Sequence, residues 1–301
     1  MTAIHARARR NSYSASAALL EDAGGLQSTL REYPNATRNH DMKSISWNTP
    51  SVRHELAALK QAAPFVYGLT NYVAANLSAN ALLAVGAAPA IGAAADWPAR
   101  FGAGAGALWI NTAALMSSGA DTLRAAARAA AEAGTRWVLD PVAVGAGAPE
   151  YDAIVHDLLA FKPTVIRGNA SELIALAGGA AAGKGVDTTA SSESALAFIG
   201  DLARRSGAIV AVSGPTDYVT DGVDTLAIAG GDARLTRVTG AGCALGALIA
   251  ALLAQRGAPL LATGAAHAIY AIAAERAADA RGTASFGVRF VDELSLLDPA
   301  E

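Results

Sequence analysis

From about residue 64 onward, short apolar runs alternate with longer Ala- and Leu-rich stretches of helical spacing. That alternation restricts the fold more than any single motif does. Residues 65–69, 88–93, 107–111, 137–140, 164–167 and 208–213 read as strands. Between them, 74–85, 121–133, 153–159 and 193–205 carry helical periodicity, and a further helix opens after residue 169. Repeated strand–helix succession implies an α/β fold: a largely parallel sheet with helices on both faces. After Ser213 the pattern changes. Residues 218–220, 225–229 and 235–238 lie close together around Asp-Gly and Gly-Gly turns, which predicts antiparallel hairpins at one edge. Helical stretches at 243–255 and 262–280, and an amphipathic piece at 290–297, close the chain.

The apolar fraction of 52% and charged fraction of 16% supply enough material for a sheet covered on both sides. A mean hydropathy of +0.30 raises the question of a membrane span. The longest strongly apolar run, 244–254, is too short for the roughly 20 residues that a spanning helix needs, so no membrane partner is expected. A net charge of −3 argues against a nucleic-acid partner, which requires clustered Lys and Arg. Cys243 is the single cysteine; it excludes an intrachain disulfide framework and fits the cytoplasm.

The first 41 residues differ from the rest. Arg7, Arg9 and Arg10 lead a Ser- and Ala-containing stretch with no acid before Glu21, a composition superficially like an organellar transit peptide. No periodic pattern precedes Val52, so residues 1–41 are expected to be a disordered extension with Met42 as the natural beginning. Residues 42–301 are expected to form one domain, since neither a repeat nor a long linker divides them.

In open parallel sheets, ligands bind beyond the carboxyl ends of the strands. The polar residues closing these strands are Thr70 and Asn71, Asn111, Asp140, Arg167 with Asn169, and Ser213. The segment Thr239-Gly240-Ala241-Gly242-Cys243 precedes a strong helical pattern, where backbone N–H groups at a helix start can hold an anion. It reads equally as a Gly-rich turn. Asp140, before Pro141, suits either Mg²⁺ or an ordinary turn. Arg167 can fork to phosphate oxygens, and Glu172 could hold metal-bound water, complete a capping box with Asn169, or do both. No Walker-type P-loop occurs, and Gly102, Gly104 and Gly106 precede a strand rather than follow one, against a dinucleotide fingerprint. His156 and His267 read as packed or surface histidines, and Trp97, Trp109 and Trp137 as core or edge residues.

Taken together, these segments resemble the hydroxyethylthiazole kinases, a ribokinase-like family. The resemblance rests on Thr70-Asn71, Asn76 and Ala79–Pro89, then Asp140–Ala146 and Ile166–Glu172. It continues through Gly185-Val186-Asp187, Ser213-Gly214 with Asp217–Gly222, and Thr239–Leu245. It implies a three-layer α/β/α domain over 42–301 that phosphorylates the alcohol of 4-methyl-5-(2-hydroxyethyl)thiazole with ATP and Mg²⁺, in thiamine biosynthesis or salvage. Carried over by position, Arg167 and Ser213 contact ATP. Ile91, Gly240 and Asn71 contact the thiazole, and Asp140 and Glu172 organise Mg²⁺. Gly240, Ala241, Gly242 and Cys243 form the catalytic turn, with Cys243 where ribokinase-like enzymes more generally place an Asp base. The resemblance also implies a homotrimer with active sites between subunits. Three departures stand out. Ile91 replaces a usual Met, Ser213 a usual Thr, and Asn111-Thr112-Ala113-Ala114-Leu115 a typical Asn-x-Gly-Thr-Leu. Alternatives are another ribokinase-like enzyme, such as a pyrimidine kinase or an NAD(P)H-hydrate dehydratase, or a non-catalytic thiazole or nucleotide sensor.

Overall fold

The computed structural model describes residues 42–179, 183–184, 187–188 and 190–301. The expected N-terminal extension, residues 1–41, lies outside the described residues, as do Gly185 and Val186. The strands are β1 (Met42–Ser44), β2 (Phe65–Leu69), β3 (Ala88–Ile91), β4 (Ala107–Asn111), β5 (Arg136–Asp140) and β6 (Val165–Asn169). Then come the short β7 (Gly183–Lys184) and β8 (Asp187–Thr188), followed by β9 (Ile209–Ser213), β10 (Thr216–Thr220) and β11 (Thr225–Ala229). The helices are α1 (Pro50–Ala62), α2 (Tyr72–Ala84), α3 (Trp97–Gly104), α4 (Ala120–Ala133) and α5 (Pro149–Leu159). They continue with α6 (Ala170–Leu176), α7 (Leu196–Ser206), α8 (Ala241–Leu253), α9 (Pro259–Arg276) and α10 (Thr283–Leu296).

Nine strands form one sheet in the order β1-β11-β10-β9-β6-β5-β4-β2-β3. Every neighbouring pair is parallel except those made by β10, which runs antiparallel to both β9 and β11. The ribokinase-like α/β reading, with a parallel body and an antiparallel edge, therefore holds. β7 and β8 pair separately.

Side chains alternate across the sheet and feed two cores. Val66, Trp109, Val138, Val165 and Ala211 pack with residues of α1, α2, α8, α9 and α10. Tyr67, Leu108, Leu139, Ile166 and Val210 face the other way, toward α3 to α7. α8 is apolar on all sides and buried from Ala244 to Leu253, which marks it as the central core helix rather than a surface one. It contains the apolar run that had raised the membrane question. No described helix is long and apolar enough to cross a membrane.

Five elements have no counterpart in the expected pattern: β1, α1, α3 and the short pair β7 and β8. One expectation is corrected. Residues 235–238 are not a strand, because Ala233–Arg237 forms a 3₁₀ turn. Asp232 caps it by accepting from the Arg234 N–H at 2.8 Å, and the Arg234 guanidinium reaches the Ala278 and Ala280 carbonyls. The turn itself directs the Leu235 N–H to the Asp232 carbonyl and the Val238 N–H to the Leu235 carbonyl, away from a sheet ladder. Trp109 and Trp137 lie in the core as expected, whereas Trp97 is exposed.

α8 lies close to the sheet because Gly246 carries no side chain. A Cβ there would sit 2.6 Å from Trp109 Nε1 and 3.2 Å from Asp140 Oδ2. Gly246→Ala is thus expected to cost about 1–3 kcal/mol through overpacking despite its higher helix propensity. Chemical denaturation measures this; an unchanged midpoint would show that α8 can move away freely.

Candidate active site

Asn111, Asp140, Arg167 and Ser213 stand at or near the carboxyl ends of β4, β5, β6 and β9, four neighbours in the sheet. Each lies two residues beyond a core residue of the α8 side: Trp109, Val138, Val165 and Ala211 respectively. The two-residue period of a strand carries all four to the face that α8 covers. Ladder register sets Asn111 opposite Asp140 and Asn169 opposite Ser213.

The contacts follow from that placement. Asn111 Nδ2 donates to Asp140 Oδ2 at 2.9 Å. The Arg167 guanidinium lies 3.7 Å from the same oxygen and donates to Ser213 Oγ at 2.9 Å. Asp140 is wholly buried, and its Oδ1 has no partner among the described residues. Glu172, at the start of α6, accepts from the Asn169 N–H at 2.8 Å and the Ala143 N–H at 2.9 Å. Asn169 Oδ1 in turn accepts from the Glu172 N–H at 2.9 Å, so the capping box exists. Its glutamate also anchors the segment after Asp140, where Ala143 takes a φ of 62°.

Burial dominates the electrostatics. It raises the Asp140 carboxyl above its ordinary range, although Arg167 and Asn111 pull the other way. Burial and then the neighbouring Asp140 push Glu172 up to about 7, against its two backbone bonds and Arg167. Burial would lower the Arg167 guanidinium, but Asp140 and Glu172 among others hold it above its usual value. The site therefore confines two carboxyls with one guanidinium.

An added divalent cation would relieve that imbalance, and Asp140 Oδ1 is a free hard donor for it. Glu172 already spends both oxygens on backbone N–H groups, which suits holding metal-bound water better than direct ligation. Among the described residues, no group of three or more His, Cys, Asp or Glu could hold a metal. Mg²⁺ needs no such group, since it takes few protein carboxylates and completes its shell with phosphate and water.

Facing these groups is the turn into α8. Gly240 adopts a φ of 85°, and a Cβ there would come 3.2 Å from the Ala74 backbone, so only glycine both bends and fits. No side chain caps this helix start, and Gly242 is exposed. A Cβ on Gly242 would lie 3.3 Å from Arg167 Nη1, which places the turn against the guanidinium. The Ala241 N–H donates to the Val238 carbonyl at 3.1 Å. The Gly242 and Cys243 N–H groups that follow, the dipole behind them and Arg167 form an arrangement suited to cradling an anion. Burial pushes the Cys243 thiol up to about 12, reinforced by Asp140 and opposed by Arg167 and the Asn111 side chain. The lowering expected from a helix start is outweighed, and the thiol stays protonated.

The remaining sequence-derived residues lie around this cluster. Asn71 caps α2 by accepting from the Ala74 N–H at 2.9 Å, and Ala74 is the residue under Gly240. Ile91 ends the edge strand β3, half-buried beside Gly68 and two strands from Trp109. The departure at 111–115 forms a buried 3₁₀ turn whose Ala113 N–H donates to Asn111 Oδ1, so it still orients Asn111. Sequence reasoning missed Tyr151. Its hydroxyl donates to the Val142 carbonyl at 2.6 Å and lies 2.8 Å from Thr112 Oγ1, pinning the turn after Asp140.

A mostly parallel sheet with an anion cradle, a buried guanidinium and two carboxyls at its carboxyl edge defines a small-molecule kinase of the ribokinase-like class. Comparison with known proteins agrees. Residues 56–300 match the Hydroxyethylthiazole kinase family. A hydroxyethylthiazole kinase of Burkholderia pseudomallei (strain 668) is 90% identical over 260 residues, covering 86% of this chain and 94% of the relative. The structure of the hydroxyethylthiazole kinase protein from Pyrococcus horikoshii OT3 superposes with a TM-score of 0.74 at 34% identity, over 82% of this chain and 93% of that one. Bacillus subtilis pyridoxal kinase, at 18% identity and a TM-score of 0.54 over 70% of this chain and 91% of that one, shares the fold. The chain belongs to the hydroxyethylthiazole kinase family.

Glu172 yields a pH prediction. A carboxyl whose pKa rises on folding stabilises the native state below its unfolded value and loses that contribution as pH climbs through the folded one. For Glu172 the window runs from the ordinary 4.5 to about 7. Without metal or nucleotide, wild type should lose more unfolding free energy between pH 4.5 and 8 than Glu172→Gln, by on the order of a few kcal/mol. Urea titrations of both proteins at the two pH values test this; parallel losses would contradict it.

Proposed function

We propose that the chain transfers the γ-phosphoryl group of ATP to the primary alcohol of 4-methyl-5-(2-hydroxyethyl)thiazole, in the cytoplasm, as a step of thiamine biosynthesis or salvage. The observation that carries this reading is the convergence of Asp140, Arg167 and Ser213 on one face, against the uncapped Gly240–Cys243 helix start. Kinship at 90% identity supports the thiazole as acceptor. The pyrimidine-kinase, hydrate-dehydratase and sensor readings gain no such support.

In this reading residues 42–301 act as one kinase domain. Arg167 and Ser213 bind the ATP phosphates, and Gly240, Ile91 and Asn71 border the thiazole. Mg²⁺, held by Asp140 and by water on Glu172, would neutralise the phosphate oxygens. The alcohol oxygen bonds to the γ-phosphorus in line as the bond to the ADP oxygen breaks, and the hydroxyl proton passes late to the phosphate oxygens or solvent. Arg167 and the N–H groups of Gly242 and Cys243 stabilise the charge that develops on the transferring group. A loose transition state requires little early deprotonation of the alcohol, so the neutral Cys243 thiol lines the turn rather than serving as a strong base.

Assembly as a homotrimer with sites between subunits fits the surface near Asn71. Tyr72, Val73 and Met116 are 85%, 61% and 78% exposed, and Met116 Sδ lies 3.6 Å from Asn71 Nδ2. A second subunit over this apolar rim would cover it and complete the acceptor pocket.

ADP release from Mg-ATP is expected to depend on added hydroxyethylthiazole. Arg167→Ala should lower kcat/KM at least about 100-fold, while Cys243→Ala keeps kcat within about tenfold of wild type. No stimulation by the thiazole would overturn the acceptor assignment. Near-normal turnover of the Arg167 variant would overturn its phosphate role.

A further inference from the structure

α9 contributes no residue to the site described above, yet its buried polar side chains include His267 and Tyr270, three positions apart. Residues at this spacing share a helix face and stand about 4.5 Å apart along the axis. Each reaches a different half of the phosphate site.

His267 is fully buried, and its Nδ1 lies 2.6 Å from Asp217 Oδ2. With Asp217 accepting, this bond calls for the imidazole tautomer that carries its proton on Nδ1. Asp217 uses its other oxygen, Oδ1, to accept the Gly214 N–H at 2.8 Å. Gly214 follows Ser213, the partner of Arg167, in the tight turn between β9 and β10. The turn has no slack on its other side: a Cβ on Gly214 would meet Ser192 Oγ at 2.4 Å, and that hydroxyl donates to the Thr216 carbonyl. Tyr270, also buried, donates to the Ala241 carbonyl at 2.6 Å. Ala241 is the first residue of α8 and belongs to the anion cradle. Burial raises the Tyr270 phenol, so it remains a donor throughout the working pH range.

We propose that His267 and Tyr270 are positioning residues: from one rigid helix they set the separation between the nucleotide turn at Ser213–Asp217 and the phosphoryl-cradling turn at Gly240–Cys243. This rests on the nucleotide reading of Ser213 and Arg167 given above. The geometry divides the two roles. His267, through Asp217, fixes the backbone that receives the nucleotide. Tyr270 fixes the cradle that receives the transferring group. His267 sits fully buried on a helix whose surrounding positions are mostly buried Ala and Ile. A buried histidine–carboxylate pair is a costly alternative unless the directed bond matters.

The test uses the full-length chain and four variants: Asp217→Asn, His267→Leu, His267→Asn and Tyr270→Phe. The Asn amide nitrogen takes roughly the place of His Nδ1, so His267→Asn tests rescue of the directed bond. ADP affinity by calorimetry, KM for ATP, kcat and thermal midpoint are read for each. His267→Leu and Asp217→Asn are expected to weaken ADP binding and raise the ATP KM about tenfold, with kcat at saturation within about threefold. His267→Asn recovers most of the loss. Tyr270→Phe lowers kcat about tenfold and leaves ADP affinity nearly unchanged. If His267→Leu does not fold, Asp217→Asn and His267→Asn carry the comparison. Folded variants that bind ADP as wild type does, or a uniform fall of every parameter in step with the thermal midpoint, would overturn the proposal. ADP binding needs no alcohol acceptor. Absent thiazole-dependent turnover in wild type therefore overturns the proposed reaction, while a tenfold loss of ADP affinity in the variants still supports the positioning role.

Discussion

The buried contact of Arg167 with Asp140 organises the functional end of the molecule. Neither group could lie at the end of a central strand alone, because an unpaired charge in that environment costs several kcal/mol. Their 3.7 Å separation is longer than a close ion pair. Each is instead tied elsewhere: Asp140 to Asn111, and Arg167 to Ser213. The guanidinium is thus held by neighbours on both sides and still presents an edge toward the α8 turn. Glu172 completes the arrangement from the next helix, and its ionisation is opposed first by burial and then by the neighbouring Asp140. Two carboxyls confined with one guanidinium would favour an added cation, and any ligand that binds the folded form only would raise its stability.

That arrangement depends on a core helix lying unusually close to the sheet. α8 meets β4 and β5 where Gly246 leaves room for Trp109 and Asp140, and it starts where Gly240 leaves room for α2. The Ala- and Gly-rich composition, which first raised a membrane question, has this as its structural meaning. Small residues let backbone and ligand-facing groups approach, at a cost in buried apolar area that the large aromatic Trp109 partly offsets. The same logic applies on the opposite face. Gly102 within α3 faces the Ala126 carbonyl of α4, where a Cβ would fall 2.7 Å away.

Strand ends were readable from the sequence because they depend on local alternation and on polar residues that punctuate it. Asn111, Asp140, Arg167 and Ser213 could be picked out one by one for that reason. Their common face was implicit in the two-residue period, but the pairing of Asn111 with Asp140 required the ladder register, a tertiary property. α1 carried a faint signal in Val52, Leu56 and Leu59 at helical spacing behind Pro50, obscured by its polar neighbours. α3 was masked by glycines that resemble a loop, although one of them, Gly102, is a packing requirement. The strand expected at 235–238 failed because a side chain, Asp232, competes with the sheet for the backbone. His267 and Asp217 are 50 residues apart and paired; no local pattern connects them, and His267 alone looks like an ordinary packed residue.

The protonated state of Cys243 bears on how a site of this kind divides its work. A thiolate base would need a nearby cation strong enough to overcome burial, yet Arg167 is already shared between two carboxyls and Ser213. Burial wins, and the thiol remains neutral. Any charge stabilisation at the helix start must therefore come from backbone N–H groups and the guanidinium, both fixed before a ligand arrives. Fixed donors need no reorganisation when charge develops, which makes their placement more consequential than proton affinity at residue 243. This explains why the surrounding structure invests in geometry. Glycine sets the turn, α2 supports it, and a tyrosine from α9 holds its first carbonyl. A base can be exchanged for a neutral side chain if these donors stay in position, because a loose phosphoryl transition state asks for charge balance before it asks for a proton acceptor.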